Sequence, residues 1–243
     1  MIAPSAFDVR LASARMIAPS VRHLAFERAD GGAFEFAPGQ WVNLVMPLPS
    51  GEIKRSYSIA SAPEGGGGFE LAVTRVEGGP GSTYLHGIEP GATLRAIGPH
   101  GLFTREGGDA APALFVATGT GVAPFRSMLG AALRAGGVAP MSLLLGVRFE
   151  EDILYREEFE AIAARHPNVR FAVTLSRPAE GWSGRSGYVQ SHVPELLAAL
   201  AKESEAAPHV WICGLDRMVS TVKDLCRKEL GLDRKRVHVE RYD

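Results

Sequence analysis

Length, composition and charge are typical of a globular protein and exclude several classes of function. The 243 residues are 46% hydrophobic and 22% charged, and the formal net charge of −1 leaves no basic surface of the kind that binds nucleic acid. No run approaches the roughly 18 apolar residues of a membrane span, and the start MIAPSAFDVR lacks a secretory leader, so we expect a cytoplasmic protein with no membrane span.

The first part of the chain has the pattern of antiparallel β-structure. From Phe7 to about Thr104, short apolar runs are separated by turn clusters such as Asp30-Gly31-Gly32 and Glu89-Pro90-Gly91, at a spacing of about 8 to 15 residues. The predicted strands are Val21–Phe26, Trp41–Val45, Tyr57–Ala60, Phe69–Val76 and Thr93–Ile97. Short strands at this spacing indicate an antiparallel barrel or a sandwich.

The pattern changes after Arg105–Asp109, where nearly continuous apolar strands alternate with helical segments. The predicted strands lack polar alternation, which favours a buried parallel sheet; they are Leu114–Ala117, Ser142–Val147, Val169–Leu175, Val210–Cys213 and Arg236–Val239. Apolar residues at helical spacing mark a helix face after each of the first four strands: Phe125, Met128, Leu129, Ala132 and Leu133; Tyr155, Phe159 and Ile162; Val193, Leu196, Leu197 and Leu200; Met218, Val219, Val222, Leu225 and Cys226. The sequence therefore predicts a β domain at 1–107 and a doubly wound α/β domain at 108–243, with ligands at the carboxyl ends of the parallel strands.

The segment Arg55-Ser56-Tyr57-Ser58 is the first candidate binding site. An arginine, an aromatic ring and a hydroxyl within four residues suit a phosphate, a ring face and a ring nitrogen. Strand alternation places Arg55 and Tyr57 on one side and Ser58 on the other. Taken alone, the segment is more simply interpreted as a half-exposed strand. The other candidate segments along the chain favour its interpretation as a binding site.

A glycine-rich turn is the second candidate. In Gly79-Pro80-Gly81-Ser82-Thr83, glycines precede a hydroxyl pair, and the pattern Tyr84-Leu85-His86 is expected to open a short helix. Backbone amides at a helix start favour an anion such as a pyrophosphate. An ordinary helix cap is the alternative.

The third candidate is Val116–Pro124, a strand that turns through a glycine loop into a helix. The loop Thr118-Gly119-Thr120-Gly121 is similar to a dinucleotide loop, but Pro124 stands where G-x-G-x-x-G has its third glycine. Proline suits the first turn of a helix, and the loop still offers amides to a phosphate. An empty tight turn is the alternative.

Two further candidates lie near the ends of later strands. Cys213-Gly214 allows a flat ring to approach the backbone, and Glu240 and Tyr242 lie two residues apart on one side of the last strand. Core packing is the alternative for Cys213 and our interpretation of Cys226; a frayed tail is the alternative for the terminus. Two distant cysteines do not make a zinc or iron–sulfur site, so we expect no metal and an organic redox cofactor.

Together and in this order, these segments resemble the ferredoxin–NADP reductase family from Val9 to Tyr242. The resemblance implies a flavin-binding antiparallel β-barrel at 1–107 and a Rossmann-like NAD(P)-binding domain at 108–243. It implies electron transfer between NAD(P)H and a one-electron carrier, through hydride transfer between nicotinamide C4 and flavin N5. FAD is expected rather than FMN. A separate ferredoxin or flavodoxin is the expected partner, because the chain has no iron–sulfur ligands of its own.

The resemblance also assigns roles to residues. Arg55 would pair with a flavin phosphate, Tyr57 would pack on the isoalloxazine, and Ser58 would hydrogen-bond near N5 as a catalytic residue. The other residues expected to bind the flavin are Ser56, Val73, Gly81, Ser82 and Thr83. Cys213 and Glu240 would be catalytic on the nicotinamide side. The other residues expected there are Thr118, Gly119, Thr120, Gly121, Gly214 and Tyr242, the last as an aromatic shield of the flavin.

The choice of nucleotide depends on a segment after a buried strand. Ser176-Arg177 stands where NADP-specific relatives bind the 2′-phosphate, and Arg185 is a second expected clamp. Similar segments occur in relatives that use NADH. We favour NADPH over NADH.

Two other functions share these motifs. One is an NAD(P)H-dependent flavin reductase, which differs only in its acceptor. The other is a flavin-bearing electron-transfer subunit of a larger complex, without nucleotide turnover. The intact loop at Thr118–Pro124, Cys213-Gly214 and Glu240 favour an enzyme over such a subunit.

Overall fold

The computed structural model describes residues 4–242, which form two compact units. The first unit runs through Gly107 and includes the segment Ala123–Ala135. The second consists of Gly108–Val122 and the chain from Gly136 onward. The division at 107/108 stays a proposal for the domains, since Ala123–Ala135 belongs to the first compact unit.

A six-stranded antiparallel sheet forms the first unit, in the order β4-β3-β6-β1-β2-β5. Its strands are β1 (Ser5–Ala18), β2 (Val21–Arg28), β3 (Trp41–Leu48), β4 (Gly51–Ser58), β5 (Gly68–Thr74) and β6 (Thr93–His100). The two edges meet just after β4, because Ile59 bridges Leu71 and the Ala60 N–H donates to Glu70 O over 2.7 Å. The sheet therefore curls into a barrel rather than a sandwich. Helices α1 (Pro80–Gly87) and α2 (Ala123–Arg134) complete this unit.

Apolar side chains fill the inside of the barrel. Phe34 packs against Phe7 and Phe69, with ring centroids 4.8 and 5.3 Å apart. Leu85 of α1 joins the same core, and the Arg22 guanidinium donates to the carbonyl oxygens of Leu85 and Ile88 over 3.1 and 2.7 Å. These bonds satisfy carbonyls at the end of α1 and fix the helix against the barrel.

A six-stranded parallel sheet forms the second unit, in the order β10-β9-β8-β7-β11-β12. Its strands are β7 (Ala113–Thr118), β8 (Met141–Val147), β9 (Val169–Leu175), β10 (Arg185–Ser186), β11 (His209–Leu215) and β12 (Val237–Tyr242). Its helices are α3 (Arg156–Arg165), α4 (Val193–Ala201) and α5 (Asp216–Asp224), and α5 continues as a π-helical turn at Leu225–Glu229.

Helices cover both faces of the parallel sheet. On β9, Phe171 packs against Phe159 of α3, while its neighbour Ala172 packs on the opposite face with the core that α4 and α5 complete. The strand order reverses between β7 and β11, so ligands are expected at the carboxyl ends of these two strands. The predicted fold class is confirmed.

Four details of the sequence prediction were wrong. No strand was predicted over β1 (Ser5–Ala18). The strand predicted at Tyr57–Ala60 begins six positions earlier than expected, at Gly51, and ends at Ser58. Helix α1 begins at Pro80 instead of at Tyr84. The last strand was expected to be buried, whereas β12 is a half-exposed edge strand.

Candidate functional site

An anion-binding position forms where the start of α1 packs on β4. Gly79 is the N-cap residue and Pro80 has no N–H, so helix geometry leaves the amides of Gly81 and Ser82 without partners inside the helix. A Cβ on Gly81 would lie 3.2 Å from Cγ of Arg55, which shows that the arginine stem lies against this turn. The Arg55 guanidinium donates to Lys54 O over 2.8 Å, and an arginine stem beside amides that lack partners inside the helix suits a phosphate group.

The Ser82 hydroxyl has a structural role in the same turn. It accepts a hydrogen bond from the Val76 N–H and donates to Gly79 O, both over 3.0 Å. The hydroxyl is therefore committed to the loop, and the amide of Ser82 is the group left for a ligand.

Thr83 faces a cleft of about 320 Å³ that sequence reasoning did not anticipate. The exposed side chain of Thr83 lines this cleft together with Arg75, which follows β5 directly. Arg75 was missed because a lone arginine after a strand carries no motif of its own. Its position three residues before the glycine turn that begins at Gly78 was the available signal.

The side chains of β4 differ in their burial. Tyr57 is half-buried against the barrel core, and burial raises its pKa to about 12 against the opposing charge of Arg55, so the phenol stays neutral. Ser58 is buried at 8% exposure. The Ser56 hydroxyl donates to Asn43 Oδ1 over 3.0 Å.

Val73 has little freedom to contact a cofactor. Its side chain is 1% exposed in the barrel core, and its carbonyl oxygen accepts a hydrogen bond from His86 Nε2 over 2.9 Å. The role assigned to Val73 therefore depends on its backbone and stays a prediction.

The glycine loop of the second unit packs tightly against the end of β11. After β7 the chain makes a 3₁₀ turn at Gly119–Val122, and a Cβ on Gly121 would lie 2.3 Å from Cys213 O. Gly214 has φ +146°, and a Cβ there would lie 2.4 Å from Thr118 Oγ1. These two glycines let the ends of the neighbouring strands β7 and β11 approach each other at the point where the strand order reverses.

Thr118 supplies a direct indication of a ligand. Its hydroxyl oxygen is buried and has no hydrogen-bond partner among the described residues. A buried polar group without a partner is costly in a folded protein, and a bound polar group would satisfy it. Gly119 and Thr120, both half-buried, complete the loop beside it.

Cys213, Glu240 and Tyr242 come together across the β11–β12 pair. Cys213 lies opposite Glu240 in the register, and Tyr242 lies opposite Leu215, two residues further along the same pair of strands. Burial and the charge of Glu240 raise the pKa of the Cys213 thiol well above its usual range. Cys213, at 0% exposure, is therefore a neutral, buried thiol rather than a thiolate nucleophile.

The edge of the sheet brings Ser176 and Arg185 to the same end of β9. Arg185 and Ser186 pair with Thr174 and Leu175, the last residues of that strand, and Ser176 follows directly. The guanidinium of Arg185 forms an ion pair with Glu195 of α4, which sequence reasoning did not anticipate. Arg177 is exposed beside them.

Residues 4–242 contain neither a cluster of metal-binding side chains nor a helix that could cross a membrane. No group of three or more histidine, cysteine, aspartate or glutamate side chains could hold a metal ion there. None of the helices in that range is long and apolar enough to cross a membrane.

Comparison with known proteins agrees with this geometry. Residues 8–104 match the oxidoreductase FAD-binding domain, and residues 115–224 match the oxidoreductase NAD-binding domain. The chain is 65% identical to ferredoxin–NADP reductase B of Sorangium cellulosum, over 100% of both chains. It is 32% identical over 91% of its length to the glycine betaine monooxygenase reductase subunit of Pseudomonas aeruginosa, of which it spans 60%. The crystal structure of the Amycolatopsis cytochrome P450 reductase GcoB is 28% identical with a TM-score of 0.85, covering 98% of this chain and 70% of that one.

An antiparallel barrel that matches the FAD-binding domain, followed by a parallel sheet that matches the NAD-binding domain, defines a flavin-dependent oxidoreductase that uses a nicotinamide nucleotide. Its cofactors are FAD and NAD(P)H, and the unpaired Thr118 hydroxyl and the free amides of α1 fit them. The chain belongs to the ferredoxin–NADP reductase family.

Proposed function

We propose that the protein transfers electrons between NADPH and a separate one-electron carrier, a ferredoxin or a flavodoxin. The observation that carries this proposal is the 65% identity to ferredoxin–NADP reductase B, which extends over the full length of both chains. FAD, when bound, supplies the chemistry that converts a two-electron hydride into single-electron steps.

On the flavin side, the residues of β4 and α1 bind and orient. The Arg55 guanidinium and the amides of Gly81 and Ser82 hold the phosphates, where the helix start adds its partial positive charge. The Tyr57 ring packs on the isoalloxazine as a neutral phenol. The Ser58 hydroxyl holds a hydrogen bond near flavin N5.

On the nicotinamide side, the ends of β7, β11 and β12 supply the contacts. The loop Thr118–Gly121 binds the nucleotide phosphates through backbone amides and the unpaired Thr118 hydroxyl. The Cys213 thiol and Gly214 form a flat surface for the nicotinamide, with Glu240 and Tyr242 beside the thiol. Correct placement of the reacting rings is the main contribution of such residues to the rate.

NADPH is the proposed donor because cationic groups gather at the end of β9. Ser176, Arg177 and Arg185 can bind a 2′-phosphate, for which arginine is well suited. FAD rather than FMN agrees with the match of residues 8–104 to the FAD-binding domain.

The acceptor is tested by comparing reduction of a ferredoxin, a flavodoxin and free FMN by the FAD-loaded protein with NADPH. We expect kcat/KM for one protein carrier to exceed that for free FMN by at least about tenfold, since a docked carrier gains binding energy that a free flavin lacks. Equal or faster reduction of free FMN would instead support a flavin reductase. Reduction of no acceptor, with flavin bound, would support an electron-transfer subunit.

A further inference from the structure

Arg185 and Glu195 form an ion pair at the end of β9, within the region proposed to bind the 2′-phosphate. Arg185 opens β10 and lies opposite Thr174, two residues before Ser176. Glu195 is in the first turn of α4, and its Oε1 contacts Nη2 of Arg185. The cation assigned to the nucleotide is therefore already paired with an anion of the same unit.

The backbone of Arg185 is held in place, while its guanidinium remains accessible. The Trp182 indole donates to Arg185 O over 2.9 Å, and Gly184 lies against the same indole, where a Cβ would come 2.4 Å from Cζ2. The side chains of Arg185 and Glu195 are 36% and 59% exposed. A dissolved anion can therefore reach the guanidinium without displacing the loop.

We propose that Glu195 determines nucleotide specificity by competing with the 2′-phosphate of NADPH for Arg185. The inference rests on the proposed function, in which Arg185 binds that phosphate. A 2′-phosphate must separate the carboxylate from the guanidinium and then lies close to a second negative charge. NADH has a 2′-hydroxyl and leaves the pair intact, so Glu195 narrows the preference for NADPH over NADH.

An exposed ion pair of this kind is weak enough for a phosphate to compete with its carboxylate. Such pairs are weak, so a dianionic phosphate can replace the carboxylate. Displacing the Glu195 carboxylate nevertheless reduces the net free energy gained by binding the phosphate. We therefore expect an effect of about three- to tenfold on affinity for a 2′-phosphate when the carboxylate is removed.

The test uses Glu195→Gln in the FAD-loaded protein, with 2′,5′-ADP and ADP as probes in isothermal titration calorimetry. Glutamine keeps the side-chain shape and is also well suited to the first turn of a helix. We expect the Kd for 2′,5′-ADP to fall about three- to tenfold while the Kd for ADP changes less than about twofold. The ratio of kcat/KM for NADPH to that for NADH should rise by the same factor as the 2′,5′-ADP affinity.

Glu203→Gln is the matched control, because Glu203 is paired with Arg170 in the same unit. This substitution should leave the Kd for 2′,5′-ADP and the Kd for ADP unchanged. Arg185→Gln tests separately whether Arg185 binds the 2′-phosphate. If this substitution leaves the affinity for 2′,5′-ADP intact, Arg185 does not bind that phosphate. If Arg185→Gln weakens binding but Glu195→Gln leaves it unchanged or weakens it too, Glu195 merely positions Arg185 and the competition is overturned.

Discussion

The structure directly requires Gly121 to lack a side chain. A Cβ there would meet backbone atoms of the next strand, at 2.3 Å from Cys213 O and 2.9 Å from Cα of Gly214. Backbone atoms cannot rotate away as a flexible side chain can. The loop and the end of β11 must therefore separate to accept alanine.

We expect Gly121→Ala to lower the free energy of unfolding by about 1 to 3 kcal/mol and to weaken NADPH binding, because overpacking shifts the loop that carries Thr118. Urea unfolding and nucleotide titration measure the two effects. Gly108→Ala is the control, since a Cβ there meets nothing within 4 Å and its φ is not positive. Normal stability and nucleotide affinity in Gly121→Ala would show that the contact is relaxed at no cost.

Arg55 is the residue on which the flavin phosphate assignment depends. We expect Arg55→Ala to weaken FAD binding by about tenfold or more, since a charge-assisted hydrogen bond to phosphate is lost. Flavin retention after dialysis and titration of the apoprotein with FAD give the measurement. Arg95→Ala removes another arginine of the barrel, one paired with Glu52, and should leave FAD affinity unchanged. Undiminished FAD binding in Arg55→Ala would refute the assignment.

Spacing along the chain made much of the candidate site predictable, but not the contacts between distant residues. Arg55, Thr118 and Cys213 stand in short segments whose residue types already suggest their chemistry. The pairing of Arg185 with Glu195 depends on how α4 packs, which no local pattern encodes. The commitment of the Ser82 hydroxyl to its own loop also depends on the folded turn.

At the scale of elements, the sequence pattern predicted strands along which buried and exposed residues alternate regularly. It failed to predict strands in which this alternation is interrupted. In β1, Phe7, Val9 and Leu11 alternate inward, but the pairing with β2 shifts register between Leu11 and Ser13. The shift changes the phase of the apolar residues, which hides the strand. In β4, an edge strand, residues up to Ser56 are largely exposed and polar, so only its end showed a pattern.

Helix α2 is fastened to the barrel by a charged cluster that local pattern also did not reveal. Arg126 Nη1 lies 2.5 Å from Glu70 Oε2 and donates to Ala60 O over 3.0 Å, and His23 lies 3.7 Å from the other oxygen of Glu70. His23 and Arg126 together lower the pKa of Glu70 to about 2. Since Ala60 lies two residues after the end of β4, the cluster also fixes the chain just beyond that strand.

This cluster predicts a pH-dependent contribution to stability. Because the pKa of Glu70 in the folded state lies below its usual value of about 4.3, the ionised carboxylate stabilises the fold above that pH, and the contribution is lost as the pH falls toward 2. We expect Glu70→Gln to lower the free energy of unfolding by about 1 to 2 kcal/mol near neutral pH, after allowance for solvent screening.

Urea unfolding from about pH 7 to about pH 3 measures this difference, which should shrink below about pH 4.3. Glu64→Gln is the control, since Glu64 pairs with Arg134 of the same helix but is far more exposed. It should change stability by less than about 0.5 kcal/mol. A difference between wild type and Glu70→Gln that stays constant over this range would contradict the role of the ionised carboxylate.

At the scale of the whole molecule, the chain carries two sets of cofactor residues in two compact units. The residues proposed to bind the flavin lie in the first unit, and those proposed to bind the nicotinamide nucleotide lie in the second. Buried and exposed residues alternate in barrel strands such as β6, whereas strands of the parallel sheet such as β7 are almost continuously buried. This difference made the architecture predictable. The placement of the segment 123–135 with the first unit was not predictable, because it depends on long-range pairs such as Arg126 with Glu70.

An absorbance spectrum of the purified protein, followed by anaerobic addition of NADPH and, in a fresh sample, of NADH, tests the central claim most directly. The account predicts a yellow protein whose flavin bands are bleached by NADPH at a lower concentration than by NADH. A colourless protein that cannot be reconstituted with FAD, or a yellow one that neither nucleotide bleaches, would contradict it.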